Sequence, residues 1–386
     1  MTTILFLHTT TEIGGSDVSL VRLVEGLDRG RYAVIVALPS DGPLVPRLVA
    51  AGARVEIMPV LMKLTSRRGP VFFVRFALNY PRAIAALVQF IRRERVSIVH
   101  TNTIHNLYGV TAARVARVRH VWHFREIVWQ SRLLRFVELS MARWWSDRII
   151  VTSNAIARMY GPEPRWPVQL VRVPNGVEAD RFQPGDGSRV RSELGVATDQ
   201  CLVGIVCRLD AWKGVDDFLA AAALVARAEP RAAFAVVGGP IIGQEAYEDA
   251  LKQRASDLGL TGRVQFTGWR YGPLEMPAVH RALDVLVLAS REPEPFGLVL
   301  LEAMATGKPV VATAHGGPLD IVEDGRTGDL VPPRDPAAMG QAILALLRDP
   351  ARRARMGTLA RERVLASYTA AQYVAGVDAI YRELAA

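Results

Sequence analysis

Short apolar runs recur along the chain, and most are followed by a stretch with helical spacing of its apolar residues. ILFLH at residues 4–8 is the first. TTTEIGGSDVSLVRLVEGL then leads through a Gly14-Gly15 turn into a segment whose apolar face is Val18, Leu20, Val21, Leu23, Val24 and Leu27. YAVIVALP, VEIMPV, VSIVHTN, HVWHFREI and DRIIVTSN continue the alternation in the first half. QCLVGIVC, AFAVVGG, RVQFTGWR, LDVLVLAS and KPVVAT do so in the second. Buried strands separated by helix-length segments predict parallel sheets covered by helices, an α/β class. VPNGVEADRFQP interrupts the pattern: the Asn175-Gly176 turn, bracketed by Pro174 and Pro184, predicts a hinge between two domains. The chain, 386 residues long, is large enough for a core in each.

Charge changes the picture of the first domain. Residues 1–180 hold 24 Lys and Arg against 13 Asp and Glu, a net +11, whereas residues 181–386 hold 23 against 25, a net −2. All the basic excess lies in the first half, which suggests an anionic partner there, a membrane surface or a nucleic acid. Within LMKLTSRRGPVFFVRFALNYPRAIAALVQFIRR, Lys63, Arg67, Arg68, Arg75 and Arg82 alternate with Phe72, Phe73, Phe76 and Tyr80. Apolar wedges among cations suit an anionic bilayer surface, and equally a helix packed on the sheet with its charges in water. No uninterrupted apolar run approaches the roughly 18 residues that would span a bilayer. MTTILFLHTT has no basic start, so a strand is expected there and not a signal peptide. Cys201 and Cys207, on one strand, are too far apart for a disulfide, and a reducing cytoplasm is the expected location.

The candidate chemistry centres on EPEPFGLVLLEAMATGKPVVAT, Glu292 to Thr313. Pro293 and Pro295 keep the entry extended, Gly297 allows a tight turn, and Leu298 to Thr306 reads as a short helix before a buried strand. The turn presents the first amides of a helix, a place that favours an anion. Glu294 before that terminus and Glu302 within the helix are of use beside a phosphate only if they bond uncharged groups such as sugar hydroxyls. A phosphate flanked by polyols is the ligand this arrangement suggests. Arg208 and Lys213 flank another strand-to-helix turn, where a forked guanidinium and an ammonium form a natural diphosphate clamp. His100 and His123 lie at the carboxyl ends of strands, where ligands bind in open parallel sheets.

With its Phe-Gly pair and the Glu-Ala-Met-Ala-x-Gly-x-Pro-Val run, Glu294-x7-Glu302 resembles the signature of the retaining glycosyltransferases of family 4. The resemblance covers nearly the whole chain. It implies the GT-B fold, with two Rossmann-like domains facing each other across a cleft. The domains would be 1–176 for the acceptor and 177–366 for the nucleotide-sugar donor, with a helix in 367–386 crossing back to the first. It implies that Arg208 and Lys213, with the Pro295, Phe296, Gly297 and Leu298 turn, hold the donor diphosphate. Glu302 would bond the ribose and Glu294 orient the sugar. Gly14 and Gly15 would lie opposite the diphosphate, His123 would face the transferred sugar and acceptor, and Trp269 and Arg270 would border the nucleobase. The family commonly has a glutamate where Asp320 stands, which leaves the role of that position open.

The expected activity is metal-independent transfer of a hexose, with retention, from a nucleotide diphosphate sugar to a lipid-linked or growing surface glycan. Two cations and a helix terminus would supply the positive charge, and no metal or other cofactor is expected. GDP-mannose stands ahead of a UDP-hexose on family frequency. Polysaccharide or lipopolysaccharide assembly on the cytoplasmic face of a membrane is the expected setting. The rivals are transfer to a small soluble acceptor and epimerisation of a nucleotide sugar. A nucleic-acid-binding protein would explain the charge, but it leaves the glutamate motif and the cationic turn without a purpose.

Overall fold

The computed structural model describes residues 1–386 except 63–69, 129–130, 163–165, 168, 241–242 and 271–274. Lys63, Arg67 and Arg68 of the basic and aromatic stretch therefore lie outside the described residues. The chain divides into two compact units, residues 1–176 with 370–386 and residues 177–369.

In the first unit the strands are β1 (Thr2–Leu7), β2 (Tyr32–Leu38), β3 (Arg54–Ile57), β4 (Ile98–Thr101), β5 (Arg119–Phe124), β6 (Arg148–Val151) and β7 (Leu170–Arg172). They form one parallel sheet in the order β3-β2-β1-β4-β5-β6-β7, with Leu5 opposite Ile35 on one side and Val99 on the other. The second unit holds β8 (Cys201–Val206), β9 (Ala232–Val237), β10 (Val264–Phe266), β11 (Val285–Leu288), β12 (Val310–Thr313) and β13 (Gly328–Val331). Its parallel sheet runs β10-β9-β8-β11-β12-β13. In each sheet the direction of winding reverses beside the first strand, between β1 and β4 and between β8 and β11. Crevices for ligands form at the carboxyl ends of such strand pairs, so the topology selects His8 and Asn102 in one unit and Arg208 and Ser290 in the other.

Helical spacing explains which helices close each core. Tyr373, Val377, Ile380 and Tyr381 of the last helix, Ala370–Ala385, are buried against Leu20, Leu23 and Val24 of helix Gly15–Gly26. That is one apolar face repeating every three to four residues, and it places the chain's end in the first unit. The opposite face of that sheet is covered by helices Pro70–Arg93 and Tyr108–Ala116, through Ala83, Leu87 and Ile91 of the former and Ala112 of the latter. Pro70–Arg93 is, among the described residues, the one helix long and apolar enough to cross a membrane, yet these inward residues pack it on the sheet. Of its aromatic residues, Phe76 and Tyr80 stack on Tyr108 at 5.5 and 5.1 Å between ring centroids. They are packing residues and not wedges. The outward apolar positions are Val71, Phe73, Val74 and Leu78.

Candidate nucleotide-sugar site

In the second unit Glu294 is the hub. Lys213 Nζ donates to its Oε2 at 2.8 Å and to its Oε1 at 3.1 Å, and Ser290 Oγ donates to Oε2 at 2.6 Å. The carboxylate is 7 % exposed, so these donors offset most of what burial would cost it. The Lys213 ammonium also sits 4.0 Å over the Trp212 ring. Arg291 fixes the turn that carries Lys213, through two 2.7 Å hydrogen bonds to Asp217 and its own amide on the Trp212 carbonyl. Ser290 is held in turn by its carbonyl, which accepts from Thr313 Oγ1 at 3.0 Å and His315 Nε2 at 2.8 Å.

Glu294 is also held by its backbone. Gly317 N donates to Glu294 O at 2.7 Å, and Gly316 forms a parallel bridge with Glu294. Gly316 has φ +78°, and a Cβ there would lie 2.2 Å from the Glu294 carbonyl oxygen. Only glycine meets both conditions. Helix Leu298–Ala305 then starts from Gly297 at φ +100°, which offers no side-chain cap; Leu300 N donates to the Gly297 carbonyl at 3.0 Å, and the amides of Leu298 and Val299 precede it in the same turn. The structure thus brings together Lys213, Glu294, Pro295, Phe296, Gly297 and Leu298. Arg208 follows β8 on the same strand-to-helix turn as Lys213. It is half-exposed, 3.5 Å from Asp210.

The remaining expected contacts have protein neighbours of their own. Glu302 Oε2 lies 3.3 Å from Nε2 of the fully buried His280, whose Nδ1 has no hydrogen-bond partner among the described residues. Trp269 is half-exposed and its indole lies over Gly239, where a Cβ would come within 2.5 Å of the ring. Arg270, expected beside the base, instead gives its guanidinium to Glu193 at 2.8 Å and Glu275 at 3.4 Å. Two carboxylates on neighbouring helices outcompete an open position in water. Asp320 lies in the short helix Pro318–Ile321, and its carbonyl accepts from Tyr368 OH at 2.7 Å. Among the described residues no three His, Cys, Asp or Glu side chains converge as a metal site.

The first unit presents a different assembly. Asp17, in the first turn of helix Gly15–Gly26, accepts from His8 Nε2 at 2.5 Å, Thr10 Oγ1 at 2.8 Å and Gly14 N at 2.8 Å. Burial pushes its pKa up, but these bonds together hold it below the usual carboxylate range. The Gly14 amide is taken by Asp17, and Gly15 follows it as the first helical residue.

From His8 a chain of hydrogen bonds runs inward. Asn102 Nδ2 lies 3.1 Å from His8 Nδ1, and Arg125 Nε donates to Asn102 Oδ1 at 2.9 Å. Because Arg125 can only donate, Asn102 presents its amide nitrogen to His8, and His8 carries its proton on Nε2, towards Asp17. Arg125 also donates to Asn175 Oδ1 at 2.7 Å and Tyr373 OH at 2.6 Å, and its Nη2 lies 3.3 Å from His123 Nδ1. His123 is within β5 rather than past its end, and it is fully buried. Burial, then the Arg125 charge, pushes its pKa well below the usual imidazole value. With Nδ1 accepting, its proton is on Nε2, which has no partner among the described residues. His100, its ring centroid 5.4 Å from that of His123, has Nδ1 2.6 Å from Tyr381 OH, and its Nε2 likewise has no partner among the described residues. Arg125 was not singled out by the sequence; its place two residues beyond His123 at a strand end was the available signal.

Residues 13–181 match the family described as Glycosyltransferase Family 4, and residues 188–363 match Glycosyl transferases group 1. The chain is 35 % identical over 307 residues to D-inositol 3-phosphate glycosyltransferase of Geodermatophilus obscurus, covering 75 % of this chain and 65 % of that protein. It is 34 % identical over 276 residues to the GDP-mannose-dependent alpha-(1-6)-phosphatidylinositol monomannoside mannosyltransferase of Mycolicibacterium smegmatis, covering 67 % of this chain and 69 % of that one. Against a third relative, the D-inositol 3-phosphate glycosyltransferase of Acidothermus cellulolyticus, it spans 57 % of the relative's length. The crystal structure of HepE from Anabaena in complex with UDP-glucose matches with a TM-score of 0.85 and 25 % identity, over 99 % of this chain and 100 % of that one. Two parallel-sheet units with the family's motifs on their strand ends, matched in order along the chain, give one conclusion: this protein belongs to the family 4 glycosyltransferases and has their GT-B fold.

Proposed function

We propose that the protein is a retaining, metal-independent glycosyltransferase that takes a hexose from a nucleotide diphosphate sugar. The observation that carries this reading is the carboxylate of Glu294 held by Lys213 and Ser290 beside the uncapped start of helix Leu298–Ala305. Lys213, Arg208 and the amides of that helix stabilise the diphosphate as its charge grows on departure. Loss of one such donor costs about 10²–10³ in rate. Oε2 of Glu294 is occupied by Ser290 and Lys213, so Oε1, with one long bond, has acceptor capacity for a sugar hydroxyl. A carboxylate neutralised in this way is a poor nucleophile. That favours attack on the same face as departure, with the donor phosphate taking the acceptor's proton. Glu302 receives the ribose hydroxyls and Trp269 borders the base. His123 Nε2–H, its ring oriented by Arg125, donates to the sugar or acceptor.

GDP-mannose is the preferred donor, as in the name of the Mycolicibacterium relative, and a UDP-hexose, as in the HepE complex, is the second. The acceptor we propose is a lipid-linked or growing surface glycan at the cytoplasmic face of an anionic membrane, in keeping with the basic first unit. Incubation with each labelled donor and a membrane extract tests this. Radiolabel should enter a lipid-soluble or polymeric product with the donor's anomeric configuration kept. Transfer only to small soluble acceptors, or epimerisation of the donor without transfer, would sink it.

A further inference from the structure

Helix Arg132–Trp145 of the first unit is amphipathic with an apolar face turned outward. Glu138 and Ala142 face inward, while Leu133 (75 %), Phe136 (68 %) and Trp144 (74 %) are exposed. Phe136 and Val137 lie three and four residues after Leu133, Ser140 lies four and three after them, and Trp144 four further on, so the five share one face. Helix Pro70–Arg93 does the same over its first half, with Val71, Val74 and Leu78 outward at intervals of three and four. Helix Tyr108–Ala116 packs against both, which places the two stripes in one layer over the same sheet. Isolated exposed apolar residues are ordinary; two parallel outward stripes are not.

The charges of this layer decide what covers it. Its helices carry eight arginines, Arg75, Arg114, Arg132 and Arg143 among them, and a single acid, Glu138, which is fully buried against His105. A surface pocket of about 860 Å³ at the amino ends of β4, β5 and β6 adds Arg117, next to Arg114, Trp144 and Trp145, and an ion pair of Arg119 with Asp147. Another protein would need a matching acidic and apolar surface. A bilayer of anionic phospholipid supplies phosphates for the arginines, an apolar layer for Leu133 and Phe136, and the interface where tryptophan rings settle. We infer that the layer formed by helices Pro70–Arg93, Tyr108–Ala116 and Arg132–Trp145 docks flat on an anionic membrane, with Leu133, Phe136 and Trp144 entering it and Arg114 and Arg117 on headgroup phosphates. The inference rests on the proposed membrane-borne acceptor and names the surface that delivers the enzyme to it.

The test is co-sedimentation of the full chain with vesicles of phosphatidylcholine alone and of phosphatidylcholine with phosphatidylglycerol. Wild type should pellet with the anionic vesicles at low salt, and less as salt rises. The triple variant Leu133→Glu/Phe136→Glu/Trp144→Glu should bind at least about tenfold more weakly. The milder pair Arg132→Gln/Arg143→Gln should bind several-fold more weakly, by about one basic residue's worth each. Leu365→Glu, an exposed apolar position in the second unit, should bind as wild type. All the changed side chains are exposed, so melting temperatures should stay close to wild type. Equal binding by the triple variant, equal binding to neutral vesicles, or no binding at low salt would overturn the inference. So would self-association of wild type that the triple variant loses, since a second copy would then be the occupant. A thermal shift with nucleotide sugars but no vesicle binding would discard the docking surface and leave the donor site standing; vesicle binding without a nucleotide shift would do the reverse.

Discussion

The two units share one architecture and solve the strand-end problem in opposite ways. In the second unit the groups are charged, paired as ions and held by backbone approach: Lys213 on Glu294, Arg291 on Asp217, Gly316 against the Glu294 carbonyl. In the first they are buried and mostly neutral, and a single guanidinium, Arg125, organises Asn102, His123, Asn175 and Tyr373. The difference teaches where binding and stability reside. Removing one member of a charged pair weakens ligand binding and leaves one partner short of its ion, whereas a buried polar chain fails as a unit when its centre is removed.

The largest effect is expected from Arg125→Ala, which leaves several buried acceptors without a donor. Urea unfolding should show a loss of about 3–5 kcal/mol, and a near-neutral result would break the contrast between the units. Next, Gly316→Ala forces a positive φ and a Cβ onto the Glu294 carbonyl. A loss of about 1–3 kcal/mol should come with weaker nucleotide binding, since the same backbone aims Glu294. Third is acid. His100, His120 and His123 are neutral in the folded unit; burial pushes His120 down to about 3 and the other two well below the ordinary value. The unfolded chain therefore takes up protons first. The contribution of His120 is whole above the ordinary imidazole value of 6.5 and drains as pH falls from there towards about 3. His120→Asn should remove about 1.4 kcal/mol per pH unit from the slope of stability against pH in that window. An unchanged slope would mean that His120 is protonated in the folded protein. The smallest effect is expected from Glu302→Ala, which should weaken nucleotide binding about tenfold and cost about 1 kcal/mol of stability, because the buried His280 loses its partner.

Much of this was legible in the chain. The alternation of apolar runs predicts both parallel sheets, Asn175-Gly176 marks the boundary between the units, and Glu294 to Gly307 reads as turn, helix and stop. What was hidden has physical causes. The sequence reading names neither β7 nor β13: each is short, and GDLV begins with a glycine and an acid, so neither shows an apolar run. The grip of Gly316 and Gly317 on Glu294, and of Arg125 on Asn175 and Tyr373, joins residues far apart in sequence, which local pattern does not encode. The sequence reading does not name helix Arg132–Trp145, and spacing alone does not tell whether its apolar face looks inward or outward.

The central claim is that the second unit binds a nucleotide diphosphate sugar through Lys213 and the Glu294 loop. Calorimetric titration of GDP-mannose and UDP-glucose into wild type and Lys213→Ala tests it most directly. The account predicts saturable binding of at least one donor to wild type, weakened by tenfold or more in the variant, which should be folded at the titration temperature but melt lower, because the buried Glu294 carboxylate loses its cation. Equal affinity in the two proteins would contradict it, because the cation that holds Glu294 would then have no part in holding the donor.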